Sequence, residues 1–194
     1  MEKIKAGGSD SLGQTLFKYR DYTPIPLIII MLFVASPSVL TATIGTIVVT
    51  FGELIRVYSV AFIGGVSRTR SGSLGEKLIT GGPFQWVRNP LYCGNFFIVF
   101  GLAIFSGSLW FTLFTVALFY FQYHFIIQYE EKILEEKFQE EYREYRRRVP
   151  AWFPKKIPSL NELEWSDSYS KALLSEKRTL SAIAAMLFIL VLMA

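Results

Sequence analysis

Apolar residues in this chain come in five blocks that charged residues scarcely enter. They run from about Ile25 to Leu40, Thr41 to Ile63, Leu91 to Phe105, Leu109 to Ile127 and Leu180 to Ala194. A helix needs about 20 apolar residues to cross a bilayer core, with about 17–25 the usual range. The second and fourth blocks meet that length alone. The first, third and fifth are short, and span only with flanking residues or in a thinned bilayer. The pattern predicts an all-α integral membrane protein with about five transmembrane helices. A signal peptide fits poorly, because the first apolar stretch begins only at Ile25 and a second span follows it closely.

The basic residues test this reading. All 20 fall before residue 24, within 56–90, or within 132–178. The turns Ser36-Pro37-Ser38 and Ser106-Gly107-Ser108 carry none, and none follows Arg178. The positive-inside rule then places the N-terminus in the cytoplasm and the C-terminus outside. The two neutral turns join tight antiparallel hairpins. The chain reads as a single domain over 1–194, with a cytoplasmic tail at 1–21, a connector at 64–90 and a cytoplasmic helical region at 129–178. In the tail, Phe17, Tyr19 and Tyr22 are suited to anchoring at the interface. Aromatics at 16% and 52% hydrophobic residues exclude a disordered chain and a nucleic-acid arm. A single Cys and a single His, Cys93 and His124, offer neither a disulfide framework nor a metal centre.

Two cytoplasmic pieces invite a chemical reading. The connector holds six glycines, at 64, 65, 72, 75, 81 and 82. They allow close backbone approach to a ligand, or they simply keep a linker flexible. Neither a phosphate loop nor a dinucleotide fingerprint is present. The segment Tyr129–Val149 places Leu134, Phe138, Tyr142, Tyr145 and Val149 at steps of three or four, with Ile133 beside the first, an amphipathic helix. With no breaker after Ile127, it is expected to prolong the fourth span as a long helix reaching into the cytoplasm. Acids crowd its start and Arg143, Arg146, Arg147 and Arg148 close it, in keeping with the helix dipole. Glu130 and Glu131 lie at the membrane surface, where a carboxylate is costly unless paired or hydrated.

Two blocks carry a resemblance. Residues 82–94 read Gly-Pro-Phe-Gln-Trp-Val-Arg-Asn-Pro-Leu-Tyr-Cys-Gly, and Glu130-Glu131 leads Leu134, Phe138, Tyr142, Tyr145 and Val149-Pro150. This resembles the isoprenylcysteine carboxyl methyltransferases and the wider membrane methyltransferase group that includes phospholipid methyltransferases. The likeness covers about residues 76–154. It implies a membrane enzyme using S-adenosylmethionine, with a pocket facing the cytoplasm and a lipophilic or prenylated acceptor entering from the surrounding membrane lipids. Carried over by position, the cofactor would be lined by Lys77, Leu78, Ile79, Phe84, Asn89, Pro90, Leu91, Tyr92 and Glu130, with Arg88 and Glu131 next. Two positions depart from the pattern. Asn89 stands at the family His, and no Arg lies near Ile126, where the eukaryotic enzymes carry one for the substrate carboxylate.

On this reading Glu130 takes the cofactor ammonium. Arg88 either holds its carboxylate or snorkels beside Trp86. Leu78, Ile79 and Phe84 sandwich the adenine, and Tyr92 or Trp86 faces the sulfonium. Phe84, Trp86 and Tyr92 serve equally well as an interfacial aromatic belt. A carboxylate acceptor needs no general base, which leaves Arg88 and Glu131 to orient; an amine acceptor would need a base near Glu130 or Glu131. Glu53 and Arg56 are expected to pair, as a functional site or as a link to the connector. Cys93 reads as packing, and His124 as a hydrogen bond within the bundle near Gln122 and Gln128. Alternatives are a phospholipid or other lipid N-methyltransferase, an NADPH-dependent membrane reductase, and a small non-catalytic membrane subunit.

Overall fold

A computed structural model describes residues 8–63 and 77–192. Within them the chain forms six α-helices and no strand. These are α1 (Gly8–Tyr19), α2 (Pro24–Val34), α3 (Val39–Ile63), α4 (Pro90–Phe105), α5 (Leu109–Arg148) and α6 (Tyr169–Leu192). Two 3-10 turns, Gly82–Gln85 and Leu160–Glu162, complete the list. Residues 1–7 of the tail, the connector glycines 64, 65, 72 and 75, and residues 193 and 194 lie outside the described residues.

Every apolar block becomes a helix, with shifted ends. Ala35 is extended and Pro37 follows, so α2 stops at Val34. Its 11 residues reach about 16 Å, roughly half a 30 Å bilayer core. The next helix opens two residues early because Ser38 and Thr41 cap it reciprocally. Thr41 N–H donates to Ser38 Oγ at 3.2 Å, and Ser38 N–H donates to Thr41 Oγ1 at 2.9 Å. Helices α3 and α5 are each long and apolar enough to cross a membrane, whereas α2 and α4 are shorter apolar helices.

Both neutral turns lie at one end of the bundle. Ser36 N–H donates to Ser106 O at 2.8 Å, and Gly107, at φ +73, sits where a Cβ would meet Ser36 O at 2.3 Å. Leu190, near the end of α6, is buried there with Met31, Ala103, Phe105 and Phe111.

The tightest packing joins α3 to α4 through two glycine pairs. A Cβ on Gly45 would lie 2.6 Å from Gly101 O, and one on Gly52 would lie 2.8 Å from Gly94 O. Missing side chains let the backbones touch, which is how apolar helices gain contact where no hydrophobic drive separates protein from lipid.

One helix is additional to the five apolar blocks, and one expectation needs correction. Residues 8–19 of the tail form α1, which lies against α5. Phe17 meets the Tyr129 ring at 5.7 Å, while Tyr19 and Tyr22 stay exposed. More consequentially, α5 is not a straight rod. Gln139 has φ 48 and ψ −120, and there the helix reverses. The reversal is plain from the ion pairs. Arg146 Nη1 meets Glu135 Oε2 at 3.1 Å although the residues are 11 apart, about 16 Å along an unbroken helix. The stripe that signalled an amphipathic helix closes on itself: Leu134 and Phe138 pack against Tyr142, Tyr145 and Val149, with Leu78 from the connector.

Two measurements follow from these contacts. Gly52→Val forces a branched side chain into the Gly94 backbone and should cost about 1–3 kcal/mol in detergent unfolding. Gln139→Gly removes a positive-φ cost of order 1 kcal/mol and should raise the unfolding midpoint; a lowered midpoint would argue against a reversal at 139.

Candidate functional site

The 3-10 turn before α4 is held from two sides. Gly82, at φ +57, leaves room for the Phe62 ring, which a Cβ would meet at 2.5 Å. Its N–H donates to Glu164 Oε2 at 2.8 Å, and Gln85 Nε2 donates to Glu164 Oε1 at 3.3 Å. From the other side the Tyr145 hydroxyl donates to Phe84 O at 2.7 Å. The turn is therefore pinned to the returning arm of α5 and to the segment entering α6.

Arg88 completes this frame. Its Nε and Nη2 donate to Glu131 Oε1 at 3.0 and 2.6 Å. Its Nη1 donates to Val149 O at 2.6 Å and to Arg146 O at 3.2 Å. The pair is mostly buried, at 11% and 15% side-chain exposure. Arg88 thus neither snorkels nor points at an open pocket, because it closes the C-terminal carbonyls of α5 and neutralises Glu131. The following residues continue the seam. Arg88 N–H donates to Pro150 O at 2.8 Å, Asn89 Nδ2 to Ala151 O at 3.2 Å and Cys93 Sγ to Trp152 O at 3.3 Å. Asn89, at the family His position, uses its amide to hold the chain after α5.

One turn into α4, Tyr92 reaches the acidic pair. Its hydroxyl donates to Glu130 Oε2 at 2.6 Å. Glu130 lies just past the apolar part of α5. Burial pushes its carboxyl up to about 7, against the Tyr92 hydrogen bond and the positive charge of Arg20, which both pull it down; the adjacent Glu131 adds to the rise. A carboxylate beside a phenol and aromatic rings has the chemistry to pair with a cation. Beneath it, Tyr92 meets Tyr123 edge to face at 4.8 Å, and Tyr123 stacks on Phe119 at 4.1 Å.

The floor is polar. Asn95 Nδ2 donates to the Tyr123 hydroxyl at 3.1 Å, and Arg56 Nη1 donates to Asn95 Oδ1. Arg56 Nη2 meets Glu176 Oε2 at 2.8 Å, and Arg56 Nε lies 3.6 Å from Glu53 Oε2. The expected Glu53–Arg56 pair is thus one side of a buried cluster that draws in α4 and α6.

The structure brings together Arg88, Tyr92, Glu130 and Glu131. Ile79 and Phe84 are half-buried near the held turn, and Lys77 is exposed. Leu78 is instead buried against α5, Pro90 begins α4, and Leu91 packs toward Val60, Ala61 and Ala172. His124 does bond to Gln128 but on the exposed face, and Gln122 bonds to Thr23. Arg20, Asn95, Tyr123, Glu164 and Glu176 are site-building residues that motif reading missed. Of these, Glu176 had a signal, since it shares the Ala172 face of α6 at helical spacing.

Comparison with known proteins gives a consistent result. A family model described as phospholipid methyltransferase matches residues 40–141. The cobalt-zinc-cadmium resistance protein CzcN of Cupriavidus metallidurans is 31% identical over 129 residues, 66% of this chain and 56% of that protein. The nickel-cobalt-cadmium resistance protein NccN of Alcaligenes xylosoxydans xylosoxydans is 31% identical over 113 residues, 58% and 49% of the two chains. The protein-S-isoprenylcysteine O-methyltransferase of Xenopus laevis is 32% identical over 125 residues, 58% and 40%. The chain spans about half the length of the curated relatives it matches. No solved structure matches it.

The seam makes one energetic claim. A double-mutant cycle on Arg88→Met and Glu131→Gln should return a coupling of about 0.5–3 kcal/mol in unfolding. Additive losses would mean that the two side chains do not meet.

Proposed function

Because the chain belongs to the phospholipid methyltransferase family, we propose that it transfers a methyl group from S-adenosylmethionine to a lipophilic acceptor drawn from the membrane, foremost a carboxylate of the isoprenylcysteine type. The observation that carries this reading is the Tyr92–Glu130 hydrogen bond at 2.6 Å, which joins two motif blocks 38 residues apart. The residues present suit the cofactor. Glu130, held by Tyr92, would take its ammonium, and the half-buried Ile79 and Phe84 would offer apolar faces for its adenine. S-adenosylmethionine supplies a methyl group activated on a sulfonium. The chain's own part is to bind, align and exclude water; orientation of this kind is worth about 7–11 kcal/mol of barrier. Arg88 and Glu131 contribute as the frame that fixes Tyr92 and Glu130. Leu78, Asn89, Pro90 and Leu91 belong to the walls behind that frame.

The same proposal includes five membrane-embedded helices, of which α2 spans only part of the core, with a cytoplasmic N-terminus and a cytoplasmic site. Support comes from the two neutral turns, which meet at the end of the bundle where Leu190 is buried, and from the absence of Lys and Arg there. A specific feature favours a second acceptor class. A carboxyl pushed up to about 7 accepts a proton near neutral pH, which a lipid amine must give up before methylation. Glu130 cannot hold an ammonium and act as that base at once, so a panel of prenylated cysteines and lipid amines, read by methyl incorporation, separates the two.

Cofactor binding has a pH signature. The ammonium prefers ionised Glu130, and burial holds that carboxyl near 7. Affinity should therefore climb up to tenfold per pH unit below about 7 and level off above it. Glu130→Gln should flatten the profile and weaken binding roughly tenfold or more, the worth of a charged hydrogen bond of about 1.5–3 kcal/mol. Equilibrium binding of labelled S-adenosylmethionine to detergent-solubilised protein makes the measurement. Absence of saturable binding would overturn the reading.

A further inference from the structure

Arg20 lies in the link between α1 and α2, outside both motif blocks, yet it is built into the site. Helix α1 is pressed onto α5 where Gly13 lacks a Cβ, which would sit 2.7 Å from Phe125 O and 2.9 Å from Tyr129 Cβ. The Arg20 guanidinium stacks over the Phe17 ring at 4.0 Å, and that ring lies 5.7 Å from Tyr129, the residue before Glu130. The Arg20 Nη1 donates to Phe17 O at 2.9 Å. The Thr23 hydroxyl donates to Arg20 O at 3.0 Å and accepts from Gln122 Nε2 at 2.8 Å. Arg20 is thus held against α5 through Phe17 on one side and Thr23 on the other, at 23% side-chain exposure, and its positive charge favours the ionised form of Glu130. Its neighbour Asp21 is 55% exposed and no nearer than 4.0 Å.

An amino-acid head group carries an ammonium and a carboxylate on one carbon, so a site for it needs an anion and a cation side by side. Glu130 supplies the anion. Arg88 is engaged by Glu131, Arg146 O and Val149 O, and Arg56 by Asn95 and Glu176. Arg20 spends one Nη1 hydrogen on a carbonyl, and a guanidinium has five. We propose that Arg20 binds the α-carboxylate of the amino-acid end of S-adenosylmethionine, next to the ammonium on Glu130. This rests on the methyl-donor reading above, and makes α1 a wall of the cofactor chamber.

Three ligands test it on the full chain in detergent, with no acceptor present: S-adenosylhomocysteine, its decarboxylated analogue, and 5′-methylthioadenosine, which lacks the amino-acid end. Arg20→Met should weaken S-adenosylhomocysteine tenfold or more, leave the other two within about twofold of wild type, and Arg20→Lys should restore part of the loss. Retained methylthioadenosine binding certifies the fold of each variant. Equal weakening of all three would assign Arg20 to docking α1 and overturn the proposal. Unchanged S-adenosylhomocysteine affinity, even with slower methylation of a carboxylate acceptor, would overturn it too, placing Arg20 on the acceptor or nowhere. Wild-type protein that binds none of the three removes the methyl-donor reading itself, an outcome distinct from a selective loss at Arg20.

Discussion

Arg88 is the joint on which the site depends. A guanidinium satisfies several acceptors in one plane, and this one serves a carboxylate on the outgoing arm of α5 and two carbonyls on the returning arm. The three acceptors come within reach only because α5 reverses at Gln139. The reversal in turn brings Tyr145 to Phe84 and Leu78 under the arm. Without it, the turn before α4 would have no wall to lean on, and Tyr92 would lack a fixed geometry toward Glu130.

The second constraint is the closeness of α3 and α4. Where Gly52 and Gly94 touch, a Cβ on Gly94 would also meet Arg56 Cγ at 2.5 Å, so the arginine crosses the helix pair at its narrowest point. From there it reaches Asn95 and Glu176, and the latter is fully buried. Charges at such depth are tolerated when they are paired, and breaking a buried pair is far costlier than removing both members. The cluster therefore ties α6, the last helix, to the floor beneath Tyr123 and Tyr92. The glycine pairs and the charge cluster act at one level of the bundle and reinforce each other.

Family membership and geometry address different questions. The match over residues 40–141 spans α3, α4 and the outgoing arm of α5, and so contains Arg88, Tyr92, Glu130 and Glu131. It leaves out the link after α1 and the whole of α6, which supply Arg20 and Glu176. Both residues lie outside the match and are tied to the frame from neighbouring elements, Arg20 through Thr23 and Gln122 and Glu176 through Arg56. Relatives with names as different as metal resistance and isoprenylcysteine methylation match this chain at similar identity, so family membership and the choice of acceptor are separate matters.

Much was legible in the residues alone. The helices of the five apolar blocks and the neutral turns at one end follow from hydrophobic blocks and the sorting of basic residues, while the resemblance carried by two motifs set Tyr92 near Glu130, with residues 82–94 read as cofactor lining and not as a frame. The reversal at Gln139 was not legible, because its stripe of apolar residues suits a straight helix and a folded one equally; only burial against Leu78 selects the second. Arg88 read as a ligand group because its partners, Glu131 and two α5 carbonyls, become neighbours only after that reversal. Arg20 was invisible for the same reason: a charge acquires a role from what lies across from it, and distance along the chain carries no record of that.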